Sequence, residues 1–266
     1  MDSDSAILDQ AARTTQRRGA GPHRTVVAAL LLLAVTAGQP CVAAAGEGWP
    51  RWRGPAQDGS ASSDGLFDPP ELGLDLVWSR ELGSGYSGIS VIFGVALTAH
   101  TDGDDDVVVA LEAATGQELW RYVLGPRYGG HDGSHDGPLS TPVVAEGRVF
   151  ALAPRGRLVA LELLTGDLLW STDLVADHGA EMPFYGFTTT PLVVGERLVV
   201  QVGGEAGAFV ALDVVSGEQR WATGSAETSY QSPIRARLAG EDLVLAVGET
   251  SVRPVAEGPG TVIGPY

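Results

Sequence analysis

Residues 107–120, VVVALEAATGQELW, return as RLVALELLTGDLLW at 157–170 and as FVALDVVSGEQRW at 209–221. The three copies share V-A-L-(E/D)-x-x-(T/S)-G-x-x-x-W, and Trp120, Trp170 and Trp221 follow one another at 50 and 51 residues. A fixed period of this size constrains the chain more than any single residue does. Each copy is one supersecondary unit that cannot bury its apolar face alone, so the units must stack. Within a copy, a Val/Ala/Leu run and a second short run flank a glycine, which reads as a β-hairpin. Gly116, Gly166 and Gly217 supply the positive φ of a tight turn, and the Thr or Ser before each stiffens it through its hydroxyl. A tryptophan at one register of every copy predicts a repeated packing site between neighbouring units. Trp78, in LDLVWSREL at 74–82, has the same setting and predicts a lone outer strand.

Upstream of two copies, STPVVAEGRVFALAPRG at 140–156 and TTPLVVGERLVVQVGG at 189–204 each add strand, turn, strand. A unit is then four antiparallel strands, the make-up of a propeller blade. The expected fold is all-β: an incomplete β-propeller of four-stranded antiparallel blades at about 86–120, 121–170, 171–221 and 222–266. The last is incomplete, because QSPIRARLAGEDLVLAVG supplies two strands and residues 251–266 hold neither V-A-L nor Trp. Closed propellers have roughly four to eight blades. About three and a half blades are therefore expected to be the N-terminal part of a seven- or eight-bladed propeller in a larger protein, with self-association through the open edges as the alternative.

The motif resembles the tryptophan-docking repeat of the pyrroloquinoline-quinone (PQQ)-type β-propellers, over residues 49–248. That group includes quinoprotein alcohol dehydrogenases and the propeller lipoprotein of the outer-membrane β-barrel assembly machinery. WPRWRGPAQDG at 49–59 is similar to the opening of many secreted members. The resemblance implies the fold; a propeller is a platform for many activities.

Net charge is −16, from 33 acidic against 17 basic residues, which argues against nucleic acid and anionic membrane as partners. The chain has no lysine, hence no Schiff-base or phosphate-loop lysine, and no asparagine, hence no N-glycosylation acceptor. Residues 1–45 read as a secretory signal: four arginines, an apolar run at 26–37 too short to span a bilayer, then Ala43-Ala44-Ala45 for cleavage. Cleavage would remove the single cysteine, Cys41, which follows Pro40 where a lipobox needs a small residue. The mature chain is then periplasmic or secreted with no integral span; an uncleaved leader acting as a membrane anchor is the alternative. Residues 46–73, rich in Gly, Ser, Pro and Asp, read as an extended lead-in before the propeller at 74–266.

All four histidines beyond the leader are expected on loops of one propeller face, where long loops carry function. His100 neighbours Asp102, Asp104, Asp105 and Asp106; His178 neighbours Glu181; and His131, Asp132, His135 and Asp136 follow an H-D-x-x-H-D spacing. That last set offers a divalent cation site, since imidazole suits zinc and carboxylate suits calcium. The other reading is a solvated acidic loop whose Asp and Gly serve turn chemistry. Arg155 and Arg157 are placed to reach an anionic ligand, or are simply solvated. Glu112, Glu162 and Asp213 recur beside the turn of each copy and read as structural rather than catalytic.

No catalytic residue and no cofactor are expected. The PQQ-dependent dehydrogenases that the repeat resembles have about eight blades, and commonly a vicinal disulfide and a calcium held partly by Asn, none of which these residues support. The leading expectation is a non-catalytic scaffold in the cell envelope, binding a protein or ligand. The alternatives are a PQQ-dependent dehydrogenase-like enzyme, or the recognition part of a larger one.

Overall fold

A computed structural model describes residues 48–61, 75–131, 136–204, 207–223, 230–238, 240–247 and 252–256. The expected signal at 1–45 lies outside them. The described residues lie in one compact unit, Ala43–Tyr266, and are nearly all β, in four open antiparallel sheets. The first sheet runs β1 (Gly48–Trp49), β2 (Ser90–Ile92), β3 (Val95–Asp102), β4 (Asp105–Glu112), β5 (Glu118–Pro126). The second holds β6 (Val143–Ala145), β7 (Arg148–Leu152), β8 (Arg157–Glu162) and β9 (Leu168–Asp173). The third holds β10 (Leu192–Val194), β11 (Arg197–Gln201), β12 (Phe209–Asp213) and β13 (Gln219–Thr223), and the fourth β14 (Ile234–Leu238), β15 (Glu241–Val247) and β16 (Val252–Ala256).

The V-A-L strands are buried on both faces because each sheet is clasped between neighbours. On β4, Val108 and Ala110 join the core shared with the second sheet, while Val109 and Leu111 turn the other way, toward Trp78. On β8, Val159 and Leu161 face the first sheet, and Leu158 and Ala160 face the third. The alternation is the two-residue period of a strand, and it explains why both parities are apolar.

The middle alanine of each V-A-L sits opposite its own tryptophan: Ala110 pairs with Trp120, Ala160 with Trp170 and Ala211 with Trp221. A small residue there leaves the indole room to reach the next sheet. Trp120 lies over Gly166 and donates its Nε1–H to the Leu163 carbonyl at 2.9 Å. Trp170 does the same with Gly217 and Val214 (3.2 Å), and Trp78 with Gly116 and Ala113 (2.9 Å). A Cβ on Gly166 would stand 2.6 Å from the Trp120 ring, so this turn needs glycine for the close approach as well as for its φ of 75°. Trp221 packs beside Val244, and its buried indole N–H has no acceptor among the described residues.

The acids after V-A-L tie down these turns. Glu162 Oε2 accepts from the backbone N–H of Leu164 and Thr165 at 2.7 and 2.6 Å; Asp213 Oδ1 accepts from Val215 and Ser216, both at 2.9 Å. The Arg220 guanidinium and then these N–H groups hold the Asp213 carboxyl well below the usual carboxylate range. A depressed folded-state value means stabilisation that is complete above the unfolded carboxylate range and is lost as pH falls from there through the lower folded-state value. Asp213→Asn is accordingly expected to lower the urea midpoint at about pH 6 and to differ less from the parent at about pH 2.5. An equal gap at both values would show that the charge contributes nothing.

Several expectations are revised. Residues 75–82 form no strand; that segment is held by side chains, Trp78 in its slot and Arg80 on Glu118 and the Gly116 carbonyl. The outer strands run past their tryptophans, so the sheets end at Pro126, Asp173 and Thr223. The fourth sheet gains a third strand, β16, where only two were expected, paired with β15 from Leu243↔Ala256 to Val247↔Val252. Its Pro254 is tolerated because β16 is the edge among the described strands. A five-residue helix, α1 (Leu174–His178), follows β9, capped by Asp173 Oδ1 on the N–H groups of Val175 and Ala176.

Candidate functional site

β6, β10 and β14 are entered through the Ser/Thr-Pro steps Thr141-Pro142, Thr190-Pro191 and Ser232-Pro233, and β2 through Ser87-Gly88-Ile89; these entries join one sheet to the next. The Gly88 N–H donates to Thr141 Oγ1 (3.0 Å), Thr141 N–H to Thr190 Oγ1 (3.4 Å) and Thr190 N–H to Ser232 Oγ (2.9 Å). Ser90 and Ser140 donate in the same direction, to the carbonyls of Pro142 (2.6 Å) and Thr189 (3.0 Å). The result is a hydroxyl ladder across all four sheets.

Within the stretch expected as an extended lead-in, residues 48–61 run along these same inner edges. Gly48 and Trp49 pair with Ile92 and Val91, and the Pro50 carbonyl accepts from Val144 N–H at 2.8 Å. Gln57 reaches the fourth sheet, donating to Pro233 O (3.5 Å) and accepting from Arg235 N–H (3.1 Å). One short segment thus ties the first, second and fourth sheets together.

Between the lead-in and the strand entries lies a cleft of about 340 Å³, lined by Trp52, Tyr86, Leu139, Thr141, Thr188, Thr190, Tyr230 and Ser232. Three of its walls are exposed aromatic rings, Trp52 (52% exposed), Tyr86 (62%) and Tyr230 (43%). From Tyr230 an aromatic row continues outward through Tyr185 (5.6 Å between ring centres) and Phe184 (4.9 Å) to His131, which stacks on Phe184 at 4.0 Å. Sequence reasoning missed this cleft: its walls come from five segments, and Ser/Thr-Pro steps read as turn punctuation.

The residues singled out from the sequence are dispersed. His100 is not on a loop but in β3, buried, with Nδ1 3.2 Å from the Gly83 nitrogen and 2.9 Å from the Thr101 carbonyl. Asp106 is buried too, accepting from Thr101 Oγ1 (2.8 Å) and Tyr128 N–H (3.0 Å); burial pushes its carboxyl above the usual range. Asp102 pairs with Arg121, so this acidic run does not converge. Asp136 pairs with Arg127, whereas Asp132 and His135 lie outside the described residues. His178 ends α1, its Nδ1 2.7 Å from Gln219 Oε1. Among the described residues no group of three or more His, Cys, Asp or Glu is placed to hold a metal ion. Arg157 donates to Tyr122 OH (2.9 Å) and the Leu124 carbonyl, and Arg155 lies over the Tyr128 ring at 5.5 Å.

Antiparallel sheets of three to five strands clasped face to face, with tryptophans docked from one onto the next, define blades of the β-propeller class. Among the described residues no closed sheet is formed. Residues 103–259 match the family model PQQ_2, outer membrane protein assembly factor BamB, and the chain belongs to that family. Among curated proteins it is 30% identical over 156 residues to the quinohemoprotein alcohol dehydrogenase ADH-IIG of Pseudomonas putida, covering 57% of this chain and 21% of that one. It is 29% identical over 156 residues to the outer membrane protein assembly factor BamB of Burkholderia pseudomallei, covering 57% and 34%. The chain thus spans about a fifth to a third of the length of these relatives. Among solved structures it matches the ADHIIG enzyme of Pseudomonas putida HK5 (TM-score 0.49, 20% identity, 70% of this chain and 34% of that one). It also matches BamB from Moraxella catarrhalis (TM-score 0.44, 15% identity, 69% and 63%).

Proposed function

We propose that this chain is a non-catalytic scaffold of the cell envelope that engages a protein partner through its loop face, with residues 1–45 as the export signal. The observation that carries this is the exposed aromatic row Phe184, Tyr185 and Tyr230. Aromatic side chains on a rigid platform are the residues that anchor protein interfaces. Family membership supports the envelope setting, since the matching relatives include outer-membrane assembly factors. No helix among the described residues is long and apolar enough to cross a membrane.

The second reading, a PQQ-dependent dehydrogenase-like activity, is favoured by the identity to the Pseudomonas putida enzyme. The aromatic cleft is a poor match for that cofactor. PQQ carries several carboxylates, and among the described residues that cleft is lined by no charged side chain; burying anions without a paired cation is costly.

A photo-crosslinking residue at Phe184, against one at Leu119 on the exposed face of β5, tests the proposal in intact envelopes. A discrete adduct of one mass from position 184 and none from 119 is the expected result. Equal, diffuse labelling from both positions would sink it. So would alcohol-dependent dye reduction by the protein supplied with PQQ and calcium.

A further inference from the structure

We propose that the cleft at the strand entries is a binding site for a neutral sugar ring, a hexopyranose unit of an uncharged glycan. Its walls divide into two chemistries that few ligand classes satisfy together. Trp52, Tyr86 and Tyr230 offer exposed ring faces, whose negative quadrupole attracts the weakly positive C–H groups on the flat side of a sugar. Thr141, Thr190 and Ser232 offer hydroxyls that are already fixed in place, because each oxygen accepts one backbone N–H from the preceding sheet. A hydroxyl has one proton to donate and a second lone pair to offer, and among the described residues nothing else takes either, which leaves both for a ligand. A pyranose presents this pairing, with an apolar C–H face bordered by hydroxyls that donate and accept.

The alternatives each leave something unmet. A purely aromatic ligand covers the rings but strands the hydroxyls, and unpaired polar groups in a filled pocket weaken binding. An anionic ligand meets no cation among the described residues of the lining. Arg53, in an adjoining recess, turns its guanidinium to the Asp58 carbonyl. Size agrees with a single ring. Even at roughly 30 Å³ per separate water-sized group, the cleft of about 340 Å³ has room for the non-hydrogen atoms of one hexose.

The site is assembled only in the folded chain, from the lead-in and the entries to β2, β6, β10 and β14. It differs in place from the aromatic row proposed above for a protein partner, though Tyr230 belongs to both, and it stands whether or not that reading does.

Isothermal titration with neutral trisaccharides (maltotriose, cellotriose, laminaritriose, triacetylchitotriose) tests it, with trigalacturonate and p-cresol as charged and aromatic controls. At least one neutral trisaccharide is expected to bind saturably with a Kd on the order of 1 mM. Trp52→Ala and Tyr86→Ala, both at exposed positions, are expected to weaken it about tenfold without changing the melting temperature. Absence of saturable heat for every neutral sugar at about 10 mM, preference for trigalacturonate or p-cresol, or unchanged binding by both folded variants would each overturn the assignment. If one variant fails to fold, the other carries the comparison.

Discussion

Trp120→Ala is expected to lower the stability of the chain by about 3–5 kcal/mol, the range for deleting a buried large aromatic. The ring is 8% exposed and lies in the core shared by the first and second sheets, beside Leu124, Val149 and Leu161. Truncation leaves a cavity there and strips the Leu163 carbonyl of its only described side-chain donor. Trp120→Phe separates the two contributions: it keeps most of the ring and loses the N–H, for about 1–1.5 kcal/mol beyond the smaller packing loss. Trp78→Ala should cost less, because Trp78 docks on the outer face of the first sheet and is only partly buried. Urea unfolding with an unchanged slope measures all three. A loss below about 1 kcal/mol for Trp120→Ala would mean that the sheets are held by their aliphatic contacts and that the tryptophan is incidental.

Gly166→Val attacks the same joint from the other side, and a loss of about 3 kcal/mol or more is expected. Two costs combine. The residue sits at a φ of 75°, where a β-branched side chain is strained, and its Cβ would stand 2.6 Å from Trp120, which must move. The double variant Trp120→Ala/Gly166→Val resolves them. With the indole gone the clash disappears, so the double variant should lose clearly less than the two singles added together. Gly147→Ala is the control for backbone strain alone: its φ is 73°, but nothing lies within 4 Å of the added Cβ, and about 1 kcal/mol is expected. Additive losses in the double variant would refute steric coupling between Trp120 and Gly166.

These effects also explain which parts of the fold could be read from the sequence. A docking joint demands particular residues at particular offsets, because only glycine lets the indole approach and only a small residue can sit opposite it. The joint therefore repeats visibly, at Gly116, Gly166 and Gly217 and at Ala110, Ala160 and Ala211. The strand β16 carries no such joint; ladder pairing is made by backbone and asks little of side chains, so nothing in VRPVA marks it. The Asp-rich neighbours of His100 resemble a loop in sequence, whereas β3 and β4 continue to a tight turn at Asp102↔Asp105. The helix α1 is too short for a period to show.

The candidate cleft was illegible for a different reason. Gln57 and Arg235 meet across 178 residues, and the ladder hydroxyls meet partners 42 to 53 residues away. No local pattern encodes which of several Ser/Thr-Pro steps face one another; only the stacking of the sheets decides it. Composition reads the lead-in only as extended for the same reason. The placement of residues 48–61 comes from the inner strand edges that they cover, not from any propensity of their own.

The two ends of the row of docked tryptophans differ. The Gly116 seat is already filled by Trp78 from the same chain, while Trp221 has an indole N–H still seeking a carbonyl among the described residues. The Gly116, Gly166 and Gly217 seats take Trp78, Trp120 and Trp170 in turn, so every docked indole comes from the segment one repeat earlier in the chain. The joints therefore share one polarity, and each seat is served by the same chain that builds it.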